Sequence, residues 1–332
     1  VKVLRLHAAG DLRLHDEPVP EPGEGESLLR VTAVGVCGSD LHWFGELAIG
    51  DARLEQPLVL GHEFAVIRVE DGQRMAVDPA IPCGRCELCT QGHPNLCPQV
   101  RFAGHGRVDG ALREYLPWPA ALLHPLPDSL TDSDGAMLEP LGVALHAVDL
   151  GHVRPGMRVG VFGCGPNGLL IIQLARLAGA VQILATDPLA HRLQAARSFG
   201  ATHLVLARDG DEASEVWMAA ARRGVDVAFE AAGTNAAVET AIHAARPGGQ
   251  VVLVGIPADN RTSFDAATAR RKGLTLRLCR RMKHTYPRAI ALVDQGRVDV
   301  GSLVTHRFPL EQAQQAFETA SRREGIKVIV EL

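Results

Sequence analysis

Four cysteines, Cys83-x-x-Cys86-x-x-Cys89-x7-Cys97, fall within fifteen residues. Thiolates at this spacing, in a loop bent by Gly84, Gly92 and Pro94, can close a tetrahedron around zinc. A closed tetrahedron has no vacant position, so the site reads as structural. An iron–sulfur cluster is the competing use of a cysteine quartet. His93, inside the loop, reads as a surface residue rather than a fifth ligand. A second set is scattered: Cys37 in G-V-C-G-S-D-L-H (35–42), His62 and Glu63 after Gly61, and Glu139 in A-M-L-E-P-L-G-V-A (136–144). Taken singly, Cys37 is a small buried apolar group and His62-Glu63 a structural pair. Glu139 faces solvent or, if buried among its apolar neighbours, needs a cation. Together Cys37, His62 and a later acid offer soft, borderline and hard donors, the mixture that suits a catalytic zinc with one open position.

A third stretch, R-V-G-V-F-G-C-G-P-N-G at 158–168, has different chemistry. An apolar strand pattern runs into Gly163-x-Gly165-x-x-Gly168, with Pro166 and Asn167 inside it, and an apolar helical pattern opens at Leu169. Such glycines let the backbone turn out of a strand and approach a pyrophosphate seated on a helix N-terminus. A second strand, 182–186, ends in Asp187, nineteen residues past Gly168. That is where a carboxylate would meet a ribose.

The elements that must hold these residues follow from pattern. Strands are expected at 3–6 and 28–34, with Pro18, Pro20, Pro22, Gly23 and Gly25 between them. Residues 110–127 read as strands and turns, 128–134 as a helix entry, and 136–148 as an apolar helix. Strands and helices then alternate: 159–162, 169–179, 182–186, 189–199, 203–206, 213–222, 225–230, 235–245 and 250–254. This alternation predicts a parallel sheet covered by helices. The basic stretch 270–283 reads as a solvated face. A helix at 286–295, a short strand pair near 304–308, a helix at 310–321 and a strand at 327–330 complete the chain.

The 332 residues suit two domains, and 46% apolar content is ample for their cores. A net charge of −4 gives no global field for nucleic acid. No apolar run reaches the eighteen or so residues of a membrane span, and the N-terminal residues lack a signal-peptide pattern. Seven cysteines, four of them crowded together, suggest metal binding in a reducing cytosol rather than disulfides.

The assembled motifs resemble the zinc-dependent medium-chain dehydrogenases, in particular their sorbitol (polyol) branch. The resemblance rests on G-V-C-G-S-D-L-H, G-H-E, the cysteine loop, M-L-E-P-L, G-C-G-P-N-G, A-T-D and L-V-T-H-R-F-P-L (303–310), and covers essentially the whole chain. It implies an α/β protein: a doubly wound parallel Rossmann sheet, 141–280, inserted into a mainly β, GroES-like catalytic domain made of 1–140 and 281–332, with the active site in the cleft. It implies two zincs and NAD. Cys37 and His62 resemble zinc ligands, Glu63 and Glu139 acids at or beside the metal, and Asp40 the partner that orients His62. Ser39 resembles the hydroxyl that takes the alcohol proton and His42 the outer end of that relay. Asp187 and Arg192 resemble adenosine-side contacts. Val254, Gly255 and Ile256, with Cys279, Arg280 and Arg281, resemble the nicotinamide-side wall. Two positions depart from the polyol pattern: Trp43 stands where that branch has Tyr, and Arg281-Met282 where it has Arg-Tyr. Both missing hydroxyls would face substrate, which implies a less hydroxylated or differently shaped alcohol. The 64–78 segment is also shorter, as if a surface turn were trimmed.

The expected activity is oxidation of a secondary alcohol or polyol to a ketone by NAD⁺, in a homodimer or homotetramer free of nucleic acid and membrane. Threonine or a sugar acid of the idonate type could be oxidised on the same site. A zinc-ribbon interaction protein is the reading from another class; it leaves Cys37, His62 and Glu139 unexplained.

Overall fold

The computed structural model describes residues 1–208 and 212–332. The chain divides into two compact units, one of Val1–Pro140 with Lys283–Leu332, the other of Leu141–Met282.

Among the described residues, the first unit is built on a seven-stranded sheet. Its order is Leu123–Pro125, Arg74–Val77, Glu63–Arg68, Glu26–Gly35, Lys327–Glu331 and Val304–Pro309, with Tyr115–Pro119 also pairing Glu26–Gly35. Glu26–Gly35 is central, and Leu29, Val31, Ala33 and Val34 along it are buried, on both of its faces. Its register sets Gly35 opposite Glu63 on one side and Ile329 on the other. The chain's last strand thereby lies beside a strand laid down near its start. Tyr286, in the returning helix Tyr286–Asp294, donates to the Val77 carbonyl at 2.5 Å and stacks on His124.

Among the described residues, the second unit is built on a six-stranded sheet whose pairings are all parallel. Its order is His203–Leu206, Gln182–Asp187, Arg158–Phe162, Val225–Glu230, Ala245–Leu253 and Thr275–Leu278. Starting from Arg158–Phe162, the chain adds strands outward on one side, returns, and adds them on the other, which is doubly wound topology. The ends of the first strands of the two halves therefore diverge near Phe162 and Glu230, and ligands bind such folds beyond those carboxyl ends.

Several elements differ from the patterned expectation. Asp11–Asp16 is a strand hydrogen-bonded to Lys2–Ala8, half exposed and polar, so it lacks a long apolar run. The helix Gly38–Glu46 occupies the G-S-D-L-H motif, for which no helix was expected. The fingerprint helix starts at Pro166 rather than Leu169, because proline suits the first helical position and Gly165 precedes it as N-cap. The basic stretch contains a strand, Thr275–Leu278, at the sheet edge, where charged side chains can point to water. The strand pair near 304–308 is a single strand whose partner is Lys327–Glu331. The trimmed segment is a hairpin between Glu63–Arg68 and Arg74–Val77.

Candidate active site

Cys37 immediately precedes the helix Gly38–Glu46, and Asp40 sits in that helix's first turn. The Asp40 carboxylate accepts from the Cys37 N–H at 2.9 Å and from the Gly61 N–H at 3.2 Å. One buried carboxylate thus ties the loop carrying the thiol to the loop carrying His62. It also lies 3.3 Å from His62 Nδ1. The other ring nitrogen, Nε2, is 3.3 Å from Ser39 Oγ. Burial alone would lower the His62 pKa, but Asp40 and Cys37 outweigh it and hold it well above the usual imidazole value.

Donor atoms of Cys37, His62 and Glu63 all lie within 4.8 Å of one another. A thiol, an imidazole and a carboxylate that converge at this spacing fit one zinc ion. Glu63 is paired with Lys327, and both side chains are almost wholly buried, at 1% and 2% exposure. Room for this pair exists because residue 35 has no side chain: a Cβ there would meet the Glu63 carboxylate and sit 3.0 Å from Lys327 Cε. Burial works to lower the Lys327 pKa, yet Glu63 beside it leaves it raised. Glu139, on the helix Leu138–Gly151, is buried but is not in the 4.8 Å group. Burial lifts its pKa to about 8; His62 and Lys327 pull it down, while Glu63 and Asp78 push it up. His42, one turn after Ser39, is a fifth exposed and lies 3.4 Å from Glu46. Trp43 is buried in the apolar core, edge-on to His105 at 5.4 Å.

The cysteine quartet is the other convergent set in this unit. Cys83, Cys86, Cys89 and Cys97 sulfurs lie within 4.8 Å of one another, the Cys86 and Cys89 sulfurs at 3.4 Å. Backbone N–H groups of Arg85 and Cys86 pull the Cys83 thiol down to about 6, whereas burial and Cys86 push Cys89 up to about 12. Four thiolates cannot all ionise side by side without a cation, and zinc is the ion this set fits. His93 is 3.1 Å from Lys283 Nζ and so has a partner outside the quartet.

In the second unit, Gly163 has φ +104°, and a Cβ there would lie 2.7 Å from Ala232 N. A side chain is therefore excluded on two counts. No side chain caps the helix Pro166–Leu177, so its first N–H groups are left for an anion. Asp187 is buried, and its two oxygens accept from Cys164 N and Leu189 N, both at 2.8 Å. The Arg192 guanidinium is 3.7 Å from where a Gly165 Cβ would be. Val254 and Gly255 follow the strand Ala245–Leu253, Ile256 is half exposed, and Cys279 donates its N–H to Leu253 at 2.8 Å. Arg281 has φ +51°, Arg280 is exposed and Met282 is buried. The uncapped helix end, the glycine turn and the buried acid fit a dinucleotide.

Two comparisons of sequence complete this picture. The family model described as alcohol dehydrogenase GroES-like domain matches residues 23–128, and the one described as zinc-binding dehydrogenase matches residues 166–295. Sorbitol dehydrogenase of Bacillus subtilis (strain 168) is 37% identical over 99% of this chain and 97% of its own length. The chain belongs to the zinc-dependent medium-chain dehydrogenases. This dehydrogenase is also similar to an Escherichia coli oxidoreductase of unknown specificity, at 31% identity and a TM-score of 0.93, over 99% of this chain and 98% of that one. A zinc-binding dehydrogenase from Sinorhizobium meliloti, solved with NADP, matches at 31% identity and a TM-score of 0.89 over 100% and 99% of the chains. The dehydrogenase is an α/β oxidoreductase that uses zinc and a nicotinamide cofactor, which sets aside the zinc-ribbon reading.

Sequence reasoning missed Lys327 and Glu230. Lys327 had a signal, a lone cation opening the apolar strand K-V-I-V, and Glu230 closes V-D-V-A-F-E just before A-A-G. In both places a charge stands in a strand otherwise built to be buried.

Proposed function

We propose that this dehydrogenase oxidises a secondary alcohol or small polyol to a ketone and passes the hydride to NAD⁺, with fewer substrate hydroxyls recognised than in sorbitol oxidation. The observation that carries this reading is the convergence of Cys37, His62 and Glu63 beside the Ser39 hydroxyl. In it Cys37, His62 and Glu63 hold the catalytic zinc, Glu139 is a neighbouring acid rather than a ligand, and the cysteine quartet holds the second zinc. Held there, zinc would lower the pKa of an alcohol hydroxyl and a nicotinamide would supply the hydride acceptor. Ser39 Oγ takes the alcohol proton as its own hydroxyl proton passes on toward His42. His42, one turn on and partly exposed, passes it to water. Asp40 fixes the His62 ring through Nδ1, which commits Nε2 to the metal side.

NAD is preferred over NADP in this reading, because the Asp187 carboxylate repels a 2′-phosphate and Pro188, Leu189 and Ala190 offer it no cation. Gly163, Gly165, Pro166, Asn167 and Gly168 form the pyrophosphate turn, Arg192 the adenosine side, and 254–256 with 279–281 the nicotinamide side. Arg281 and Met282 set substrate shape, whereas Trp43, 1% exposed within the apolar core, acts only through the packing beneath the site.

A homo-oligomer is part of the same proposal. The six-stranded sheet ends in the edge strand Thr275–Leu278, whose Leu278 is 76% exposed. An open strand edge with an apolar side chain can pair with a second copy. Light scattering should give a dimer or larger, and Leu278→Asp should shift it toward monomer. A cytosolic location fits too, because all seven cysteines are free thiols and a reducing compartment keeps the quartet available for metal. Among the described residues no helix is long and apolar enough to cross a membrane.

The deciding experiment is a panel of secondary alcohols, diols, hexitols, aldonates and threonine, scored by NADH absorbance with NAD⁺ and NADP⁺ in parallel. Turnover of short diols or secondary alcohols above hexitols supports the reading. Preference for an aldonate or threonine would overturn the substrate class, and tighter NADPH than NADH binding would overturn the cofactor choice.

A further inference from the structure

Glu230 is the last residue of Val225–Glu230, the strand beside Arg158–Phe162 in the second unit, and it is 1% exposed. Its carboxylate is turned to backbone amides. Oε1 accepts from two consecutive backbone donors, Ala232 N at 2.8 Å and Gly233 N at 2.6 Å. Its own carbonyl accepts from Val254 N at 2.8 Å and Gly255 N at 3.2 Å. One residue therefore holds the start of two different loops, one following its own strand and one following the next.

These loops are packed against the glycine turn. The Ala231–Ala232 backbone is what excludes a side chain at Gly163, at 2.7 to 2.9 Å from a Cβ there. Ala231 N also donates to the Phe162 carbonyl at 2.8 Å. A Cβ on Gly255 would meet Gly233 N and lie 2.8 Å from Glu230 Oε2, and one on Gly233 would lie 2.6 Å from the Ile256 carbonyl. Backbone therefore packs on backbone in sequence: residue 163 on 231–232, and residue 233 on 255–256. All three segments lie at the carboxyl ends of the parallel strands, where a dinucleotide is held.

A carboxylate in so buried a place is costly unless its oxygens are satisfied. Burial does raise the Glu230 pKa, and backbone N–H groups at Gly233 and Ala232 work against that rise. A glutamate side chain at such cost needs a task, and fixing the 231–233 loop is the one its hydrogen bonds describe, the 254–255 amides being held by the main-chain carbonyl of the same residue.

We propose that Glu230 is a positioning residue for the nicotinamide cofactor, its carboxylate locking the 231–233 loop between the Gly163 turn and the 254–256 loop so that the floor on which the dinucleotide lies is set before it binds. This rests on the reading of residues 163–168 as the cofactor turn. The geometry requires an acceptor oxygen at the end of a glutamate-length side chain and does not require its charge. Glutamine keeps that oxygen. Aspartate keeps the charge but falls one methylene short. Alanine has neither.

The test uses the full-length, zinc-loaded protein and its variants Glu230→Gln, Glu230→Asp and Glu230→Ala. NADH affinity is measured by fluorescence titration without substrate, beside zinc content, melting midpoint, and KM and kcat for the best alcohol of the panel at saturating NAD⁺. Expected is NADH binding within about threefold of wild type for Glu230→Gln. For Glu230→Asp and Glu230→Ala it should weaken about tenfold or more, with two zincs retained and the alcohol KM little changed. If Glu230→Ala does not fold, Glu230→Asp carries the comparison. NADH binding by Glu230→Asp equal to wild type, even with a lowered melting midpoint, would show a purely structural role and overturn the proposal. So would a Glu230→Gln variant as weak as Glu230→Asp, since charge and not loop geometry would then be what matters. A wild-type protein that binds neither NADH nor NADPH would remove the cofactor reading itself, a result seen before any variant is compared.

Discussion

At the scale of single residues, the buried Lys327–Glu63 pair is the most consequential contact that no motif announces. Two charges with almost no exposure have been taken out of water, and removing one leaves the other uncompensated. Lys327→Met should therefore cost about 3–5 kcal/mol in the zinc-free protein. Bound zinc would neutralise part of the Glu63 charge, so the zinc-loaded variant should lose less. Urea unfolding of wild type, Lys327→Met, Glu63→Gln and the double variant, with and without zinc, closes the cycle. A loss from Lys327→Met that is the same in the Glu63→Gln background would show that the two residues are not coupled. Asp40 shows the same economy in another form: it serves two backbone donors and one imidazole, which is why a three-residue spacing from Cys37 matters.

At the scale of elements, the parallel sheet is tied at its amino ends as well as at its ligand ends. Asp226 accepts from Arg158 N at 2.8 Å, Arg246 Nε at 2.6 Å and the Arg223 guanidinium at 3.0 Å, and so links three strands or their connections. Burial works to raise its pKa, but the Arg158 amide and the Arg246 guanidinium outweigh it, and the carboxyl stays below its ordinary value. A carboxyl depressed in the folded state stabilises above its unfolded pKa, near 3.9, and that contribution disappears as pH falls through the folded value. Asp226→Asn should be less stable than wild type by about 1.5–3 kcal/mol at pH 7, with the two stability curves converging below about pH 4. A gap that stays constant from pH 7 to pH 3 would assign the loss to packing instead.

At the scale of the whole molecule, two metal centres in one unit should fail differently. The Cys37–His62–Glu63 centre has three protein donors and must admit an alcohol, so a chelator can reach its metal. The quartet offers four sulfurs in a loop whose short elements, Glu87–Thr90 and Pro94–Leu96, bury only Asn95 and which therefore depends on metal for its form. Mild chelation should abolish activity, remove about one zinc per chain and leave the melting midpoint nearly unchanged. Cys89→Ser should instead lower the midpoint or the yield, with the soluble fraction still binding zinc at the open centre. Metal analysis beside activity and melting curves reads both. Chelation that strips the quartet first and leaves full activity would reverse the assignment of the two centres.

What depends on local chain geometry can be read from the residues in order. The cysteine quartet is legible because all four sulfurs come from one loop, and the glycine turn because strand, turn and helix are consecutive. Parallel architecture is legible because each strand–helix repeat is a local unit with its own apolar period. What depends on distant segments meeting emerges only once the chain is folded. Glu63 and Glu139 are equivalent by residue type; packing alone sets Glu63 within 4.8 Å of Cys37 and His62 and leaves Glu139 outside that group. Lys327 reaches Glu63 because the final strand pairs with Glu26–Gly35, more than 290 residues before it, and Gly35 leaves the space. Motif position places Trp43 toward substrate, and packing corrects this: its ring is 1% exposed inside the apolar core and meets no substrate. Such contacts have no sequence period, since sheet register and burial, rather than spacing, choose the neighbours.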